Sequence, residues 1–137
     1  MTREDLIRRY NECQSYLTEG CLFLSLCSII EEVTDKPLDI LDTLAYAKSM
    51  NYIDSTHEMS VKGQLGLLQD LTGKHWLRQE LKVLPIVVPA QMYTVEKWYN
   101  KNTGFTHFRR RYMDTLTKSV TVVEGKQEGY YAYIHEV

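Results

Sequence analysis

A cysteine nucleophile needs a setting that favours its thiolate and a base that takes up the proton. Cys21 meets the first need by position. It stands in Glu19-Gly20-Cys21-Leu22-Phe23-Leu24-Ser25-Leu26-Cys27-Ser28-Ile29-Ile30, where a polar segment gives way to an apolar one. From Leu22 to Ile30 only Ser25 and Ser28 are polar. Extended to Val33, the run is too long for a typical buried strand and fits about three turns of helix. A helix that is apolar nearly all round is buried, so this is the expected central helix of the domain. Cys21 then falls in its first turn, where unpaired backbone N–H groups and the helix dipole favour negative charge on sulfur. The competing reading is a structural cysteine, since free cysteines are among the most buried residues. Taken alone, the stretch favours that reading.

The base must come from His57, His75, His107 or His135. His57 lies in a polar loop, His75 opens a segment of unassigned structure, and His135 is three residues from the end. His107 is best placed, opening an expected strand after a glycine turn in Gly104-Phe105-Thr106-His107-Phe108. A strand histidine by itself is more often structural. A helix-start cysteine followed far downstream by a strand-start histidine is a more specific pattern.

The elements that must position this pair follow from periodicity. Leu6, Tyr10, Cys13 and Leu17 share one face of a first helix capped by Thr2. Residues 18–20 break it, and the central helix covers about 21–33. A third helix, about 37–50, starts at Pro37 with Asp35 or Lys36 as cap region. It carries Leu38, Leu41, Leu44, Ala45 and Ala47 on or near one face. Ser60 caps a fourth helix over 61–71, with Leu65, Leu68 and Leu71 inward and Gly73 as the stop.

The period then changes. Residues 83–88 are β-branched and apolar but broken by Pro85 and closed by Pro89, which predicts an edge or irregular strand. Further strands are expected over 92–99, with Tyr93, Val95 and Lys97 on one side, and over 105–112, 119–123 and 130–134. Turns fall at 100–104 and 114–118, with a hairpin loop at 124–129. Six of the ten tyrosines, from Tyr93 to Tyr133, lie in this half, as a sheet would have them. Helices first and antiparallel strands later give a single α+β domain over 1–137, its helical half about 1–73 and its sheet half about 83–137.

These blocks carry a family resemblance. Gly20-Cys21-Leu22-Phe23-Leu24-Ser25-Leu26, Gly104-Phe105-Thr106-His107-Phe108 and Tyr112-Met113-Asp114-Thr115-Leu116-Thr117-Lys118-Ser119-Val120-Thr121-Val122 resemble three blocks of short papain-like proteins of the bacteriocin-processing (C39-like) cysteine peptidase superfamily. They are more similar still to an uncharacterised group carried by phages and spirochaete plasmids. Residues 47–54 and Val95-Glu96-Lys97-Trp98-Tyr99 resemble that group as well. The resemblance implies a papain-like fold with Cys21 as nucleophile and His107 as base, acting without metal or cofactor on a peptide or protein. It implies Gln14 as oxyanion helper, one residue farther from the cysteine than is usual. It also implies Asp114 as the residue orienting His107, with Thr115 where a proline is common.

Spacing bears on Asp114 directly. Seven residues of continuous strand span roughly 23 Å, and an odd offset puts the two side chains on opposite faces. Contact therefore requires a chain reversal between them, for which Arg110-Arg111 is poor turn material. Otherwise Asn100, Asn102 or Glu96 serves, or the site is a Cys–His dyad. The catalytic reading is a cysteine hydrolase acting on an amide, isopeptide or thioester bond. The competing one is a catalytically silent fold of the same type that binds a protein partner.

Composition excludes other classes. Net charge is −2 over 137 residues, so no overall field draws the chain to nucleic acid or membrane. Arg109-Arg110-Arg111 is the one basic run, and alternation splits it between two faces. A solvated edge with one arginine in an ion pair is favoured over a nucleic-acid patch. Trp76 and Trp98 read as core or groove walls. Three cysteines with no CxxC and no zinc-like spacing argue against a structural metal. With Thr2-Arg3-Glu4-Asp5 after Met1 and no membrane-length apolar run, a cytoplasmic protein is expected.

Overall fold

The computed structural model describes residues 20–55, 58–102, 104–110 and 126–136. The expected first helix and the expected strand over 119–123 lie outside those residues.

Helix α1, Gly20–Thr34, is the buried axis of the fold. Leu22, Phe23, Leu26, Cys27, Ile29 and Ile30 are all but sealed from solvent. Ser25 is sealed too, and donates its hydroxyl to the Cys21 carbonyl at 2.8 Å. That back-bond lets a polar side chain sit inside an apolar helix. Thr34 does the same to Ile30 at 2.8 Å, and Asp35, at φ 54°, turns the chain out of the helix.

Helix α2, Ile40–Ser49, starts three residues later than the sequence suggests. Asp39 is the cap: its carboxylate accepts the Asp42 N–H at 3.0 Å. Pro37 therefore stands in the linker, and Asp35 ends one helix rather than starting the next. The later start also turns the face. Ile40, Thr43, Leu44 and Ala47 are buried, while Leu41 and Ala45 point outward.

Helix α3, Val61–Thr72, begins and ends as expected. Ser60 accepts the Gly63 N–H at 3.0 Å, and Gly73 takes the left-handed conformation at φ 71°. Leu67 and Leu68 are buried, with Leu65 and Leu71 half-buried beside them.

Four strands follow: β1 Trp76–Leu81, β2 Met92–Asn100, β3 Phe105–Arg109 and β4 Lys126–His135. They form one sheet in the order β1-β4-β2-β3, every neighbouring pair antiparallel. The fold is α+β. Two sequence expectations are corrected. Residues 83–88 form no strand and are largely exposed, because Pro85 and Pro89 interrupt any ladder there. The strand lies just before, in Trp-Leu-Arg-Gln-Glu-Leu, where polar and apolar residues mix on both sides and hide the alternation. Residues 126–129 belong to β4 rather than to a hairpin loop. Glycine there is a bulge device: the β2–β4 register shifts between Lys97 and Trp98, and a Cβ on Gly129 would meet the Leu81 carbonyl oxygen at 2.5 Å.

Cross-strand pairing sorts the faces. Trp76, Val95, Phe108 and Tyr133 are buried and join α1 in one core. Gln64 of α3 ties helix to sheet, accepting from the Tyr133 hydroxyl at 2.7 Å while donating to the Met59 carbonyl at 3.1 Å. Among the described residues no helix is long and apolar enough to cross a membrane.

Candidate active site

Cys21 is the second residue of α1. It keeps only 5% of its surface exposed, packed into the core cluster with Leu22 and Leu24. Its sulfur meets β3 there. The Phe108 N–H donates to Cys21 Sγ at 3.4 Å, across 87 residues of chain. Two features thus act on this sulfur in the same direction. The first-turn N–H groups of α1 and the donated Phe108 N–H both favour negative charge on it, while burial opposes that charge.

Phe108 directly follows His107. Only two bonds separate the Phe108 nitrogen from the His107 Cα, so Sγ lies within about 6 Å of that Cα. This is inside the sweep of an imidazole side chain. Alternation sends Phe108 into the core, where its ring packs on Tyr131 at 5.2 Å. It sends His107 to the other face, directly across from Trp98. His107 is half-buried and its Nε2 is withdrawn from solvent. The sequence therefore placed Cys21 and His107 on elements that do meet. The backbone contact that joins them left no signal in residue type.

Gln14 and Asp114 lie outside the described residues, as does His57. Two of the alternatives to Asp114, Asn100 and Glu96, have visible duties. Asn100 Oδ1 accepts the Asn102 N–H at 2.9 Å and shapes the β2–β3 turn, closed by Gly104 at φ 74°. Glu96 receives Trp98 Nε1 at 3.2 Å and pairs with Arg109 at 3.4 Å. Arg109 also lies over the Trp98 ring at 4.8 Å.

Of the arginine run, Arg109 and Arg110 do not lie on a solvated edge. Arg110 is buried and pairs with Glu32 of α1 at 2.9 Å, with its guanidinium 5.7 Å from the Tyr93 ring centre. Arg109 and Arg110 are thus drawn in on opposite sides of the strand. Arg111 is outside the described residues. Trp76 is a core wall, its Nε1 donating to Thr72 at 2.8 Å.

No cluster of metal-ligating side chains occurs among the described residues. No family model, curated protein or solved structure matches the chain.

Proposed function

We propose that the protein is a papain-like cysteine hydrolase acting on an amide, isopeptide or thioester bond of a peptide or protein. The observation that carries this reading is the Cys21 sulfur at the first turn of α1, held against the backbone beside His107. In the reaction His107 takes the Cys21 proton and the thiolate attacks the carbonyl carbon. The Cys21 N–H, assisted by Gln14, receives the oxyanion. Collapse expels the leaving amine or thiol with the proton returned by His107. Water, deprotonated by the same imidazole, then releases the acyl group and restores the thiol. Asp114 is the candidate to orient the imidazole. Neither a metal nor a cofactor is needed.

The burial of Cys21 favours a second reading. A walled-in thiol is inert, and the same fold then serves as a binding module for a protein partner, as in a phage or mobile element.

Alkylation by iodoacetamide, followed for each cysteine by mass spectrometry across pH, separates the two. The hydrolase reading expects Cys21 alone to react fast near pH 6. His107→Ala should slow that by on the order of a hundredfold, as the thiol returns toward about 8.5. An unreactive Cys21, or one indifferent to residue 107, overturns the catalytic reading.

A further inference from the structure

The two outer strands of the sheet are treated differently. At β3 the helix α1 docks on the backbone, through Cys21 Sγ and Phe108. At the other end β1 pairs with β4 alone among the described strands. The Glu136 N–H donates to the His75 carbonyl at 3.3 Å, which fixes the phase of the ladder. Residues 75, 77, 79 and 81 then bond toward β4, and the backbone groups of Trp76, Arg78 and Glu80 point away from it. Such an edge is a template for another strand.

Exposed apolar residues gather beside it. Leu77 on β1 is 49% exposed, and Val83, Ile86, Val87 and Val88 in the following segment are exposed as well, Ile86 completely. A charge-free Pro85-Ile86-Val87-Val88-Pro89 run in solvent is the kind of patch that marks an interaction surface.

We infer that this edge pairs with the same edge of a second copy, β1 antiparallel to β1 about a two-fold axis. The charges of the strand select both the partner and the register. The outward groups allow pairings that differ by two residues. One sets Arg78 opposite the partner's Arg78, which is repulsive. Another, centred on Gln79, sets Arg78 opposite the partner's Glu80 twice over and Leu77 opposite the partner's Leu81. It places Val83 across from the partner's His75, so each exposed apolar segment leaves its strand beside the start of the partner's β1. The self-complementary Arg78 and Glu80 already approach each other within one strand, at 3.7 Å.

Sedimentation velocity on the full chain, from low to high micromolar, tests this together with charge variants. The wild type should shift from one-copy to two-copy mass. Glu80→Arg and Arg78→Glu should each stay at one-copy mass, because each meets its own like charge. Mixed in equal amounts they should form the two-copy species, since every facing pair is then opposite in sign. Circular dichroism checks that each variant is folded, and Glu80→Pro, which removes an outward N–H together with the carboxylate but sets no like charges opposite each other, should also stay at one-copy mass. A wild type that stays single at every concentration overturns the inference. So does a dimer that Glu80→Arg and Glu80→Pro leave intact.

Discussion

At the scale of single residues, the sulfur of Cys21 is governed by what the backbone offers it. Ser25 occupies the Cys21 carbonyl and Phe108 donates to the thiol, so both ends of the residue are fixed. Arg110 is held in the same spirit. Its buried guanidinium reaches Glu32, locking the end of β3 to α1. Glu32 is half in solvent, so screening limits the pair. Arg110→Gln should therefore cost about 1 kcal/mol of stability in urea unfolding. It should also raise Cys21 alkylation by loosening the β3 contact. Unchanged stability and unchanged alkylation would deny Arg110 that role. Gln64→Leu removes a buried acceptor used by Tyr133 and by Arg78, at 3.4 Å, and should cost about 1–3 kcal/mol in the same assay.

At the scale of elements, Gly63 separates propensity from packing. Gly63 lies in the first turn of α3, where replacing glycine by alanine stabilises a helix by at most about 1 kcal/mol on propensity alone. Here the added Cβ would run into the Tyr52 carbonyl oxygen. Gly63→Ala should therefore lower the Tm, and a raised Tm would show that the α2–α3 connection yields. Sequence showed α1 plainly, because nine residues from Leu22 to Ile30 hold only two serines. It showed α3 through Ser60 and Gly73, whose side chain and φ do what their types imply. It misplaced the start of α2 because Pro37 and Asp39 are both good start signals, and only packing chose Asp39. It missed β1 because a strand at the sheet margin, with Arg78 over the Tyr131 ring at 4.0 Å, buries a cation where alternation predicts an apolar residue. At the site, residue types pointed to Cys21 and His107. They could not give the Phe108 N–H, which any residue but proline supplies.

At the scale of the whole molecule, the helical half is clasped at its surface by Asp70, which accepts from Tyr46 at 2.7 Å and Tyr52 at 2.5 Å. The Asp70 hydrogen bonds hold the Tyr52 hydroxyl up to about 12 and push the Tyr46 hydroxyl above its ordinary value. The same bonds hold the Asp70 carboxyl below the ordinary carboxylate value of 3.8. Stability from the tyrosines is thus present below pH 10 and is lost as pH rises from 10 toward about 12. Stability from Asp70 is present above the ordinary carboxylate value and is lost as pH falls through its lowered one. Thermal unfolding of Tyr52→Phe against pH should show a flatter alkaline limb than the wild type. An identical limb would place the alkaline loss elsewhere. The two halves meet where α1 enters the sheet, and the proposed hydrolase requires Cys21 and His107 to act there as one ionisable pair. The most direct measurement is the titration of the His107 ring by NMR in the wild type and in Cys21→Ser. A thiolate beside the ring holds its proton, so the His107 midpoint should fall when the sulfur is replaced. The same midpoint in both proteins would contradict the pair, and with it the hydrolase.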